Sequence, residues 1–200
     1  MWSIIKDNLE ALLPLIILSL VSVAVIIERI VYFFFVREDS DLTSKAGTLY
    51  AQGKNDVALD ALMNSTSPES ALLRYAVNNR FLLDDLLHAR LQIIARNRLA
   101  LLEKRVAFLA VAANLATLFG LLGTVLGMIL VFGAMEQARA SDPYILAGGI
   151  GQALLTTAAG LMVAIPSLFF HHFFTESIVR RASRMETLIA EILSSKGAIL

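Results

Sequence analysis

The sequence predicts an all-α membrane protein with three transmembrane helices and long cytoplasmic helical extensions. Two stretches carry most of that prediction: Leu115 to Phe132 and Ile145 to Phe170 contain no Asp, Glu, Lys, Arg or His. A helix needs about 20 apolar residues to cross about 30 Å of hydrocarbon, so charge-free stretches of this length read as membrane spans. Composition agrees, because 57% of the 200 residues are hydrophobic and the mean hydropathy is +0.70, above the roughly 45 to 50% apolar content of soluble domains. The 17 basic and 17 acidic residues cancel, so bulk charge points to neither a nucleic-acid partner nor an acidic ligand. Cysteine is absent, which removes disulfides, thiolate metal sites and thiol nucleophiles.

Taken in order, residues 1–11 set Trp2, Ile4, Ile5 and Leu9 among Lys6, Asp7, Asn8 and Glu10, a mixture that suits a short helix in the outer interface or a disordered lead. Lys6 stands against Asp7 and Glu10, and the apolar run that follows is long, so a cleaved signal peptide is not expected. The first span is 12–36: the run Leu12 to Ile27 continues through Glu28-Arg29 to Val36, with Pro14 placed in the first turn, where its missing N–H is harmless. Residues 37–105 form a cytoplasmic helical region. Its patterns at Leu42 to Gln52 and Asp56 to Met63 are broken at Gly53-Lys-Asn55 and Ser65-Thr-Ser-Pro68, as in a helical hairpin.

From Glu69 onward, Leu72, Tyr75, Ala76, Leu83, Leu86, Leu87, Leu91, Ile94, Leu101 and Leu102 recur at helical spacing with no Gly or Pro before Gly120. One unbroken helix into the second span, 106–134, is therefore expected. Residues 85–134 alone make about 75 Å of helix, more than twice the hydrocarbon thickness. Asp142 and Pro143 read as N-cap and first residue of the third span, 143–174. That helix leaves the membrane near His171-His172 and continues as an amphipathic tail over 175–200. No internal repeat is visible and the polar parts are small, so 1–200 reads as one unit.

Topology follows from Lys and Arg. Residues 37–105 hold ten of the 17 and residues 175–200 hold Arg180, Arg181, Arg184 and Lys196, whereas the N-terminus has Lys6 and the loop over 133–145 has Arg139. The positive-inside rule puts the N-terminus outside and the two large polar parts, with the C-terminus, in the cytoplasm.

Within the spans the available chemistry is small and hydroxylic. Thr117, Gly120, Thr124 and Gly127 follow spacings of three, four and three; Gly149, Ala153, Thr157, Gly160 and Ala164 follow four, four, three and four. Each set lies on one face of a helix. Small residues permit close backbone approach and hydroxyls can bond across the contact. Periodicity alone is most simply met by tight helix packing, with each Thr satisfied by the carbonyl four residues back.

The residues of these faces also resemble a family. Leu118-Phe-Gly-Leu-Leu-Gly-Thr-Val-Leu-Gly-Met128 and Gly149-Ile-Gly-Gln-Ala-Leu-Leu-Thr-Thr-Ala-Ala-Gly-Leu-Met-Val-Ala-Ile-Pro166 are similar to the two signature helices of the TolQ, ExbB and MotA proton-channel family. Glu28-Arg29-Ile30 looks like that family's Glu-Arg-Leu at the inner end of the first span. Three spans with the N-terminus outside resemble the TolQ and ExbB branch, since MotA-type subunits carry a fourth. The resemblance implies an oligomeric ring, a homopentamer, around two copies of a single-span TolR- or ExbD-type partner bearing a membrane aspartate. It assigns the proton pathway to Thr124 and Thr157, with Thr117, Thr156 and Gln152 supporting the pore and Gly120, Gly123, Gly127, Gly149 and Gly160 packing its helices. Two positions depart from the pattern: Gln152 stands where many relatives have Glu, and Thr117 where many have Pro.

The residues agree with that assignment on one point. A proton path through hydrocarbon normally uses an intramembrane ionisable group, and the cores of these spans offer none. If this protein conducts protons, the carboxylate must arrive on another chain. Glu28 and Arg29 read as an interfacial pair, the adjacent His171 and His172 point about 100° apart and suit no shared metal, and Arg96, Arg98, Lys104 and Arg105 are placed to meet anionic lipid. Pro166 is expected to kink the third helix. No Ser-His-Asp order, phosphate loop or HExxH occurs, so neither an enzyme nor a cofactor or metal is expected. The rivals are a non-conducting scaffold, whose threonines only pack helices, and a solute transporter, whose broken spans and repeats are not evident.

Overall fold

The computed structural model describes residues 9–35, 40–63, 65, 67–138 and 143–199. Among these residues the regular structure is helical throughout: α1 Leu9–Phe35, α2 Ser40–Ala51, α3 Asn55–Leu62, α4 Pro68–Asn78, α5 Asp84–Ala138 and α6 Pro143–Ile199. The interfacial segment expected over 1–11 lies outside the described residues except for Leu9 to Ala11, which belong to α1. Arg139 and the N-cap assigned to Asp142 also lie outside them.

Three of the helices, α1, α5 and α6, contain windows long and apolar enough to cross a membrane, with mean hydropathies of 2.3, 2.4 and 1.9. At most 28% of any such window is buried within the chain. Leu20, Leu130, Met162 and Phe169 are among the large apolar side chains left exposed, more apolar surface than water tolerates on a monomer. The chain is a multi-pass membrane protein.

Contacts between Cα atoms divide the chain into two compact units, residues 1–29 with 105–173 and residues 30–104 with 174–200. The first holds the charge-free stretches. Its core is small-residue packing: Leu15, Ala113, Ala116 and Ala164 are buried together, with Leu18, Phe119, Ala159 and Val163 against them. Pro14 lies inside α1 and not in its first turn, because helix begins five residues earlier than the proline. Its ring nitrogen cannot donate to the Glu10 carbonyl, a loss that polar neighbours can absorb.

The second unit has a conventional apolar core that includes Tyr50, Leu62, Leu72, Leu73, Leu87, Leu91, Met185 and Ile192. Two of the short helices end where the sequence supplies a cap. Gly53 closes α2 at φ 74°, its N–H bonding the Tyr50 carbonyl (2.9 Å) while the Lys54 N–H bonds that of Leu49 (3.0 Å). That pair of bonds is a Schellman motif. Ser67 caps α4 by accepting from the Ser70 N–H (3.1 Å), ahead of Pro68 and Glu69, the expected order of residues at a helix start.

The helix expected to run unbroken from Glu69 is interrupted. α4 stops at Asn78 and α5 starts at Asp84. Asn79 leaves helical geometry (φ −120°, ψ 30°), and its side-chain amide donates to the Tyr75 carbonyl (2.9 Å), which also accepts the Asn79 backbone N–H (3.0 Å), so side chain and backbone close the last turn of α4 together. Asp84 and Asp85 fill the first turn of α5, where acids favour the helix dipole. Lys196 of α6 secures the restart: its Nζ bonds Asp84 Oδ1 (2.6 Å) and the Leu82 carbonyl.

Candidate functional site

Close approach of α5 and α6 is what the small residues make possible. Along the contact, Ala116 and Gly120 meet Gly160, Gly123 meets Thr156, Gly127 meets Ala153 and Val131 meets Gly149, so the two sequences run in opposite directions. A Cβ on Gly160 would stand 2.5 Å from the Ala116 carbonyl oxygen and 3.0 Å from Gly120 Cα; one on Gly120 would stand 3.2 Å from Thr157 Cα. A Cβ on Gly127 would lie 3.0 Å from that of Ala153, one on Gly123 2.5 Å from Thr156 Oγ1, and one on Gly149 would collide with the Val131 side chain. The five glycines expected to pack these helices, Gly123 included, are thus brought to one contact, and their neighbours belong to the same chain.

The threonines divide between two roles. Thr157 Oγ1 donates across the contact to the Gly120 carbonyl (3.0 Å). Thr156 is 4% exposed, fills the notch beside Gly123 and donates to its own helix at Ala153 (2.7 Å). Thr124 donates to Leu121 (2.6 Å) and Thr117 to Ala113 (3.0 Å). On α5 the contact face is therefore Ala116, Gly120, Gly123 and Gly127, and Thr117 and Thr124 flank it. Thr124 opens on an apolar concavity with Val125, Met128, Ile129 and Phe132. Gln152 is half-buried beside Ala153.

A hydroxyl has one proton to give and two lone pairs to receive. With Thr124 and Thr157 both donating to carbonyls, each retains acceptor capacity and no spare donor. As bonded here, the two hydroxyls direct their protons to carbonyls and present lone pairs to a further donor.

At the cytoplasmic end of α1 predicted from charge, Glu28 Oε1 accepts from Arg29 (3.3 Å) and also from Arg105 of α5. The expected Glu28–Arg29 pair is thus a three-residue cluster, and Arg105 faces a carboxylate. His171 Nδ1 lies 3.1 Å from the Val106 carbonyl; a carbonyl only accepts, so Nδ1 carries the proton. Periodicity did not single out this cross-helix bond, nor the buried Glu69 of the second unit, which reads in sequence as an ordinary first-turn acid.

The pattern that defines the MotA/TolQ/ExbB proton channel family matches residues 64–187, which include every residue of the two faces. Among curated relatives, the Tol-Pal system protein TolQ of Haemophilus influenzae is 40% identical over 80 residues, covering 40% of this chain and 35% of TolQ. The biopolymer transport protein ExbB of Aquifex aeolicus is 35% identical over 94 residues, 47% of this chain and 64% of that protein. The putative biopolymer transport protein ExbB-like 3 of Synechocystis is 26% identical over 182 residues, 90% of this chain and 87% of that protein. The chain spans about a third of TolQ's length and less than half that of the Pseudomonas putida ExbB, 45%. With the family pattern matched over more than half its residues, the chain belongs to the MotA/TolQ/ExbB proton channel family.

Proposed function

We propose that the chain is a proton-channel subunit of the inner membrane, using the proton motive force with a single-span, aspartate-bearing partner of the TolR or ExbD type. The work would serve outer-membrane transport or envelope maintenance, in keeping with the Tol-Pal and biopolymer-transport names of its relatives. The carrying observation is the Thr157 hydroxyl bonded to the Gly120 carbonyl between two helices whose cores hold no ionisable group. In a homopentameric ring these hydroxyls would line the space entered by the partner's aspartate. Because Thr124 and Thr157 keep only acceptor capacity, they favour the protonated acid, and a hydrogen bond to the neutral form raises an acid's pKa. Protonation would be held while the residue is beside them and released when it moves away. One charge crossing 100 mV yields about 2.3 kcal/mol, so repeated transfers around several equivalent sites are needed for mechanical work. Gln152, uncharged, would support the outer half of the pore.

A non-conducting scaffold is the second reading, favoured by Thr117, Thr124 and Thr156 each being satisfied within its own helix. A pH-jump flux assay separates the two, using liposomes that hold the chain with its partner. Thr124→Val and Thr157→Val keep shape, and membrane hydrogen bonds average about 0.6 kcal/mol, so assembly should persist while flux falls to the level of a partner Asp→Asn control. Full flux from an assembled double variant would return both threonines to packing.

A further inference from the structure

We propose that His171 is the base that collects the proton at the inner end of the pathway and passes it to the cytoplasm. The inference rests on the proton-channel reading and adds a residue to that pathway. Its basis is a repeat in how α5 and α6 are joined. Thr157 Oγ1 donates to the Gly120 carbonyl (3.0 Å); fourteen residues on in α6 and fourteen back in α5, His171 Nδ1 meets the Val106 carbonyl (3.1 Å). Fourteen residues are two heptads, over which a straight helix drifts by only about 40°, so the imidazole stands on the same side of the contact as the Thr157 hydroxyl. The two are separated by about 21 Å of helix, and His171 is toward the end that charge placement assigns to the cytoplasm.

The bond to Val106 decides what the ring can do. A carbonyl only accepts, so Nδ1 carries the proton, and in the neutral imidazole Nε2 is then the acceptor. Nε2 bonds no described residue. The other charged or titratable groups at this end of the first unit are Arg105, directly before Val106 on α5, Glu28 and Arg29 of α1, and His172 beside it on α6. The guanidinium groups stay protonated and accept nothing, and Glu28 Oε1 is already taken by both of them. His172 is exposed and turned about 100° away. Imidazole ordinarily gains and loses a proton between pH 5 and 8, as a base working between a membrane acid and cytoplasmic water requires. Direct transfer does not reach across about 21 Å of helix, so the partner's carboxyl group gives its proton to water in the pore and becomes a carboxylate. That water protonates Nε2. The imidazolium then gives the Nε2 proton to a cytoplasmic water or buffer base, while Nδ1–H stays on the Val106 carbonyl throughout.

The test is the pH-jump flux assay in liposomes that hold the chain with its partner. His171→Gln keeps an amide N–H for the Val106 carbonyl but has no titratable nitrogen. With assembly intact its flux should fall at least about tenfold, while His172→Gln should match wild type. Nitrogen NMR of the full chain in lipid, labelled at histidine and assigned with His171→Gln, reads the same base without flux. It should show Nδ1–H above about pH 8 and a second proton arriving on Nε2 between about pH 5 and 8. Wild-type liposomes that carry no flux would overturn the proposed function and this assignment with it. Wild-type flux left intact by His171→Gln, an equal loss in His172→Gln, or a His171 ring that carries its single proton on Nε2 or does not titrate in that range would overturn this assignment alone.

Discussion

Gly160 is the glycine of the membrane unit at which an added carbon would come nearest to backbone. Its missing side chain faces backbone, the Ala116 carbonyl and Gly120 Cα, and backbone cannot swing aside as a long side chain can. Gly160→Ala should therefore force α5 and α6 apart and lower stability by about 1–3 kcal/mol, the range for overpacking. Gly148→Ala, in the same helix but with nothing within 4 Å of the added carbon, should be neutral or slightly stabilising through helix propensity. Thermal unfolding of both variants in detergent checks this, and equal midpoints would mean the helices are not held by this contact. The glycine spacing made such a contact readable from sequence, since only small residues at helical period allow it. What spacing could not assign was the division between Thr156 and Thr157. Adjacent residues on a helix sit 100° apart, and which of them reaches the other helix depends on its azimuth, set by the opposing Gly120 and Gly123. Glu69 was hidden for a related reason: a first-turn acid normally serves the helix dipole, and spacing carries no sign of the burial that leaves its Oε1 without a partner.

Helix boundaries in the second unit were legible wherever a cap has a residue-specific cause. Gly53 marks the end of α2 because φ 74° is left-handed, a region that disfavours side chains by about 1–2 kcal/mol. Gly53→Ala meets no steric neighbour, so conformational strain alone should lower stability by about 1 kcal/mol. Native-state hydrogen exchange at Gly53 and Lys54, whose N–H groups bond Tyr50 and Leu49, is the local measurement. Unchanged protection would show that the motif does not hold the α2–α3 turn. The interruption between α4 and α5 was not legible, because Leu83, Leu86 and Leu87 keep helical period across it while Asn79 is a weak breaker by propensity alone. Its effect comes from the side-chain bond to Tyr75 and from Lys196, 114 residues away from the Leu82 carbonyl that it holds. Long-range anchors of that kind carry no periodic signal.

For the whole chain, charge placement gives a topology that the absence of cysteine makes simple to test. Long loops cross membranes with little regard to charge, so the informative cations are those within about 15–20 residues of a span. Arg37 directly follows the first span. Arg90, Arg96, Arg98, Lys104 and Arg105 precede the second, and Arg180, Arg181 and Arg184 follow the third. On the opposite side stand Lys6 and Arg139. An inverted chain would carry nine span-flanking cations to the outer face and keep two inside, against the bias that sets orientation. Asn97 and Tyr144 are both exposed, and with no native thiol each cysteine variant reports one position. A membrane-impermeant maleimide should label Tyr144→Cys in intact spheroplasts and Asn97→Cys only in inverted vesicles. The reverse pattern would place the N-terminus in the cytoplasm, turn the Glu28–Arg105 cluster to the outer side, and move Gln152 from the outer to the inner half of the proposed pore.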